Sequence, residues 1–100
     1  MNKRYKITIT KDAANDIQRI INYYTDIKKE LSKKFAVEVR KKLDHLEKFP
    51  YASSIIFEHR ILIPLKRFPY SISISVLEDS KDVIIWAVIH QSQDNQEVLS

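Results

Sequence analysis

At 100 residues, 44% hydrophobic and 30% charged, the chain has the composition of one ordinary globular domain with a modest core, not of a disordered segment. It contains no cysteine and no glycine, which excludes a disulfide framework, a cysteine–zinc site, a cysteine nucleophile, the glycine-rich phosphate loop, the dinucleotide fingerprint and the nucleophile elbow. The net charge of +4 is compatible with nucleic acid, an acidic protein partner, or neither.

The longest apolar run, Val83 to Ile89, is too short to span a bilayer. The basic start, Lys3-Arg4-Tyr5-Lys6, leads into an alternating segment and not into the apolar block of a signal peptide. A cytoplasmic protein without membrane contact is the expectation. Three histidines without HExxH spacing give no dedicated metal site, and no cofactor is implied.

Tyr5, Ile7 and Ile9 alternate with Lys6, Thr8 and Thr10, the period of a half-buried strand. Thr10 is placed to cap a helix with Asp12 in its first turn. Ala13, Ile17, Ile20, Ile21 and Tyr24 recur at helical steps, so that helix runs to about Lys28. A second helix from about Glu30 to Lys48 carries the stripe Leu31, Phe35, Val39, Leu43 and Leu46. Phe49-Pro50 ends it, because the residue before a proline is pushed out of helical geometry. The short link around Ile27 to Lys29 implies an antiparallel helical hairpin.

Tyr51 to Ser54 reads as a loop and Ile55 to Leu65 as mostly extended, with Pro64 at an edge, a bulge or a strand end. Tyr70, Ile72, Ile74 and Val76 alternate with Ser71, Ser73 and Ser75, the cleanest strand signal. Glu78 to Asp82 turns the chain, Val83 to His90 forms the last strand, and a polar tail covers 91–100. The expected fold is a single α+β domain over 1–100, ordered β-α-α-β-β-β. In it the helical hairpin packs on a mainly antiparallel four-stranded sheet. The three serines suggest a wet second face. Strict alternation puts Val83, Ile85, Ala87 and Ile89 on one side of the last strand and Ile84, Trp86 and Val88 on the other. A strand apolar on both sides expects cover on both, from a partner, a homodimer contact or the folded-back tail.

Residues 60–90 put Arg60, Lys66, Arg67 and His90 on neighbouring strands and turns. Arg60 reads as an ion pair with Glu58, or as a contact to a target or partner. Lys66 and Arg67 flank a turn that solvent alone would satisfy. His90 is a strand-end histidine that could exchange a proton only beside a cation such as Arg60. Trp86 reads as core or as partner surface, and Ser71 and Ser73 belong to the same candidate surface. The basic run from Lys28 to Lys42, interleaved with acids, reads as a solvated helix face.

The order of these pieces resembles the RelE/ParE superfamily of toxins from type II toxin–antitoxin modules. The resemblance spans nearly the whole chain. It rests on Tyr5-Lys6-Ile7-Thr8-Ile9-Thr10 with Ala13, Ala14, Asp16 and Ile17, then Ile21-Asn22-Tyr23-Tyr24, and Phe35 with Leu43, Leu46 and Phe49-Pro50. Arg60, Arg67-Phe68-Pro69-Tyr70 and Ala87-Val88-Ile89-His90 complete it. It implies a basic toxin of a plasmid-stabilisation module, held inactive by an antitoxin that wraps it as a hetero-oligomer. RelE-like members cleave mRNA on the ribosome without a metal, whereas ParE-like members act on DNA gyrase and carry no nuclease chemistry. RNA cleavage needs a base, a cation for the developing charge and an acid. Here Ser71 stands where RelE-like members place an arginine, and no tyrosine follows His90. The expectation is therefore a ParE-like, non-enzymatic gyrase inhibitor. The alternatives are a metal-independent endoribonuclease using Arg60, Lys66, Arg67 and His90, and a non-toxic partner-binding domain.

Overall fold

The computed structural model describes residues 4–51, 53 and 55–92. Strand β1 (Lys6–Ile9) leads into helices α1 (Lys11–Ile27) and α2 (Lys29–Lys48). Strands β2 (Ile56–Phe57), β3 (Arg60–Pro64), β4 (Tyr70–Leu77) and β5 (Asp82–His90) follow.

The hydroxyl of Thr10 accepts the Ala13 N–H at 3.1 Å and so caps α1, with Asp12 in the first turn. One extended residue, Lys28 (φ −165°, ψ 124°), separates the helices and folds them into an antiparallel hairpin. Phe49 leaves helical geometry ahead of Pro50, and its N–H donates to the His45 carbonyl at 2.9 Å.

The sheet order is β1-β5-β4-β3-β2. Only β1 and β5 pair in parallel; every other pair is antiparallel. The expected four strands are five because the segment after α2 doubles back at Glu58-His59. Both turn residues have positive φ, 50° and 67°, as a tight two-residue hairpin requires. Glycine usually fills such positions. Its absence hid the turn and leaves side chains in a region that disfavours them by about 1–2 kcal/mol per residue. Pro64 closes β3 opposite Ser71, at a strand end.

The helical hairpin covers one sheet face. Ala13, Ile20, Phe35, Val39 and Leu46 meet Ile63, Ile72, Ile74, Val83, Ile85 and Val88 there. Among the stripe of α2, Leu31 and Leu43 are only half-buried. Tyr24, Phe35, Phe68 and Tyr70 form an aromatic cluster with centroids 5.1–6.5 Å apart. Burial pushes the Tyr24 and Tyr70 phenols up from their ordinary range.

Strict alternation fails in β5. Ile74 pairs with Ile85 but Ser73 pairs with Ala87, so Trp86 is an extra, bulged residue. The bulge inverts the pattern: Val88 turns into the core with Val83 and Ile85, while Ala87 and Ile89 pair with Ser73 and Ser71 on the outer face. The second face is also not wet at its centre. Ser71 and Ser73 are only 3% and 4% exposed. Pro64 and Ile89 flank Ser71, and Leu62 and Ala87 flank Ser73, so the small side chains lie in a valley between larger ones.

Beyond Ile85 the edge of β5 has no β1 partner, and α1 takes over. The Thr10 hydroxyl donates to the Trp86 carbonyl at 3.1 Å, and Asp16 Oδ2 accepts the Val88 N–H at 3.0 Å. Asp16 Oδ1 holds Arg19 at 2.8 Å. Removing a charged acceptor from a half-buried backbone N–H leaves that donor unsatisfied. Asp16→Ala is expected to cost ~2 kcal/mol, read from urea unfolding.

Candidate functional site

The outer face of the sheet presents Arg60, Leu62, Ser75, Ile84, Trp86, Ala87 and Ile89 around the buried serines. Trp86 follows the core residue Ile85 and points to the opposite face, and it is 37% exposed. Its Nε1 donates to the Ser75 hydroxyl at 2.7 Å. The Arg60 guanidinium lies 4.8 Å from the ring centroid, a cation–π contact across β4. Glu58 sits in the left-handed turn instead, and among the described residues it makes no ion pair with Arg60. Leu62 is buried yet stands outside the helix-side core, so it belongs to this second face.

Lys66 and Arg67 occupy the turn between β3 and β4, and both are exposed. The turn is fastened to α2 by Glu38, whose carboxylate accepts the Lys66 N–H at 2.5 Å and the Arg67 N–H at 3.3 Å. Phe68 anchors it from below, 7% exposed in the aromatic cluster. His90 pairs with Tyr70, its ring edge-on at 5.2 Å, and its Nδ1 lies 2.8 Å from the Ser92 hydroxyl.

These positions do not converge. Arg60 and Lys66 bracket the whole of β3, which at ~3.3 Å per residue separates them by about 20 Å of chain. His90 lies at the Tyr70 end of β4, whereas Arg60 and Trp86 lie at the Ser75 end. Its ring also faces Tyr70 on the helix side of the sheet, opposite to Trp86. Arg60, Trp86, Ser71 and Ser73 share the outer face; Lys66 and Arg67 share a turn; His90 stands apart from Arg60. Among the described residues no group of three or more His, Asp or Glu could hold a metal ion, and no helix is long and apolar enough to cross a membrane.

One polar cluster was not foreseen from sequence. Glu78, in the turn between β4 and β5, accepts the Tyr5 hydroxyl at 2.9 Å and the Tyr51 hydroxyl, and pairs with Lys81 Nζ at 2.8 Å. The Lys81 ammonium also lies 5.0 Å from the Tyr5 ring centroid. Hydrogen bonds from Lys81, Tyr51 and Tyr5 hold the Glu78 carboxyl down at about 2, and the bond to Glu78 pushes the Tyr51 phenol up to about 12. Neither group exchanges a proton near neutral pH, so the cluster acts as a clasp joining β1, the α2–β2 loop and the last hairpin. A carboxyl lowered by folding stabilises the fold above its ordinary value, and that contribution fades as the pH falls toward about 2. Acid titration should therefore separate the wild type from Glu78→Gln above pH ~4.5 and bring the two together at the acid end. Curves that stay parallel throughout would contradict the clasp.

The family model described as "ParE toxin of type II toxin-antitoxin system, parDE" matches residues 7–95. No curated protein matches the sequence significantly. Among solved structures, a chain of the chromosomal ParDE toxin–antitoxin system from P. aeruginosa is similar at a TM-score of 0.75 with 17% identity, over 88% of this chain and 97% of that one. A chain of the RelBE2 toxin–antitoxin complex from Mycobacterium tuberculosis is similar at a TM-score of 0.62 with 16% identity, over 87% of this chain and 91% of that one. At such identities these two likenesses concern the fold.

Proposed function

Because the chain belongs to the ParE toxin family of type II toxin–antitoxin systems, we propose that it is the toxin of such a pair and that it poisons DNA gyrase by contact, without a reaction of its own. The observation that carries this reading is the scatter of the residues a nuclease would need. Arg60 stacks on Trp86 at one end of the sheet, and His90 faces Tyr70 at the other. Position 71, at which RelE-like members carry an arginine, is here a serine only 3% exposed, which offers no cation to a developing phosphorane. The same reading assigns the pair a role in plasmid stabilisation.

The neutralising partner is an antitoxin that covers the outer sheet face. Trp86, Ile84, Ala87 and Ile89 are incompletely buried there, flanked by the cation of Arg60. An aromatic anchor beside an arginine is the composition of an interface centre. Induced expression should arrest growth with cellular mRNA intact and with the DNA-damage response of a stalled gyrase. Co-expression of the antitoxin from the adjacent reading frame should relieve the arrest. Cleaved mRNA, abolished by Arg60→Ala or His90→Ala, would instead point to the endoribonuclease. Harmless expression without any antitoxin would leave a partner-binding domain.

A further inference from the structure

Four of the basic residues of α2 border a groove. Lys33, Lys34, Lys41 and Lys42 on α2 face Lys66 and Arg67 on the β3–β4 turn across a groove of about 640 Å³. Glu38 is the one carboxylate in its lining, and it is already engaged by two backbone N–H groups of the turn. Among the described residues none of the six cations forms an ion pair. Six fixed cations against one acid exceed the net +4 of the whole chain, so the positive charge is concentrated here and not spread over the molecule.

We infer that this groove binds the phosphate backbone of duplex DNA. The cations sit on rigid supports. Lys34 and Lys42 lie ~12 Å apart along one helix, and the opposite wall is tied to that helix through Glu38. Such an array matches phosphates that are themselves held in a fixed array, and its attraction is enhanced by release of their counterions. Val37 is the one aliphatic side chain in the lining, but an adjoining pocket that shares Lys42, His45 and Lys66 adds Leu46, Ile55, Ile63 and Leu65, so an acidic peptide is the rival ligand that the titration includes. A single strand would need rings on which to stack its bases, and the one ring in the lining is His45, already packed against Phe49 at 5.0 Å. This goes beyond the gyrase reading and stands or falls without it, because the test needs only the purified chain and DNA.

The test is fluorescence anisotropy of a 20-base-pair duplex, a 20-nucleotide single strand and an oligoglutamate peptide, titrated with the chain at several salt concentrations. Two quadruple variants are compared, both of which lose the same charge, from positions that are exposed except for the half-buried Lys42. One is Lys33→Gln, Lys34→Gln, Lys41→Gln and Lys42→Gln; the other is Lys6→Gln, Lys11→Gln, Lys28→Gln and Arg40→Gln, all outside the groove. The wild type should bind the duplex with a log–log salt slope of about −4 to −5. The groove variant should bind about 30-fold or more weakly at 0.1 M salt, with the slope reduced by about 3, while the control variant stays within about 3-fold. Equal losses in both variants would mean diffuse attraction and would overturn the inference. Tighter binding of the single strand, or of the peptide, would overturn it in favour of those ligands. A second measurement needs no variant: acetylation of Lys33, Lys34, Lys41, Lys42 and Lys66 in the wild type should be slowed by bound duplex, and unchanged rates would overturn the inference.

Discussion

Phe35→Ala is expected to remove ~4 kcal/mol of folding stability, the largest single effect in the domain. Phe35 is fully buried at the centre of α2. Its ring lies 5.3 Å from Phe68, 5.9 Å from Tyr24 and 6.0 Å from Tyr70. One truncation therefore removes the middle of an aromatic cluster that joins both helices to the β3–β4 turn and β4. A domain of this size has a total stability of ~5–10 kcal/mol, so about half of it depends on this ring. Urea unfolding followed by circular dichroism measures the loss as a lower midpoint at unchanged slope. A loss below ~1.5 kcal/mol would mean that the cluster collapses around the vacancy and is not the keystone of the core. Because Phe68 carries the Lys66–Arg67 turn, Phe35→Ala should also loosen the basic groove before the rest of the sheet.

The second large effect concerns binding and should leave the fold nearly untouched. Trp86→Ala is expected to weaken antitoxin binding by ~2–4 kcal/mol, about 30- to 1,000-fold in Kd, while changing folding stability by less than ~1 kcal/mol. The separation follows from the two faces of β5. Val83, Ile85 and Val88 remain in the core, while Trp86 projects from it with its indole more than a third exposed. Ser75 and Arg60 already fix the orientation of the ring. A partner that covers it therefore gains a large contact at little cost in ordering. Calorimetric titration of the antitoxin into each variant measures the change. Arg60→Ala and the double variant complete a cycle in which the coupling should be ~0.5–2 kcal/mol. Full affinity in Trp86→Ala would place the antitoxin on another surface.

Local signals in the sequence translated directly into structure. Thr10 caps α1, Phe49-Pro50 ends α2, and the Ile–Ser alternation became β4. What stayed hidden was non-local, or was masked by unusual residue choice. The turn at Glu58-His59 lacks the glycine or asparagine that marks such hairpins, so one extended segment concealed two strands. The bulge at Trp86 could not be read because β5 is apolar on both faces, and a shift of one residue leaves that pattern unchanged. Ser71 and Ser73 looked wet by composition, but their position between bulkier strands decides their exposure. Asp16 and Glu38 look like ordinary helix-surface acids. Their roles, one holding the Val88 N–H and the other the turn of Lys66 and Arg67, depend on partners distant in sequence. The six cations of the groove come from two such segments, and the α2 lysines alone resemble a solvated helix face.

On the proposed reading this toxin acts on gyrase by contact and not on mRNA by cleavage. The most direct measurement is supercoiling of relaxed plasmid by purified gyrase in the presence of the purified chain. Supercoiling should fall in proportion to added chain at micromolar excess, and equimolar antitoxin should restore it. Undiminished supercoiling at that excess, with the chain shown to be folded, would rule out gyrase as its target.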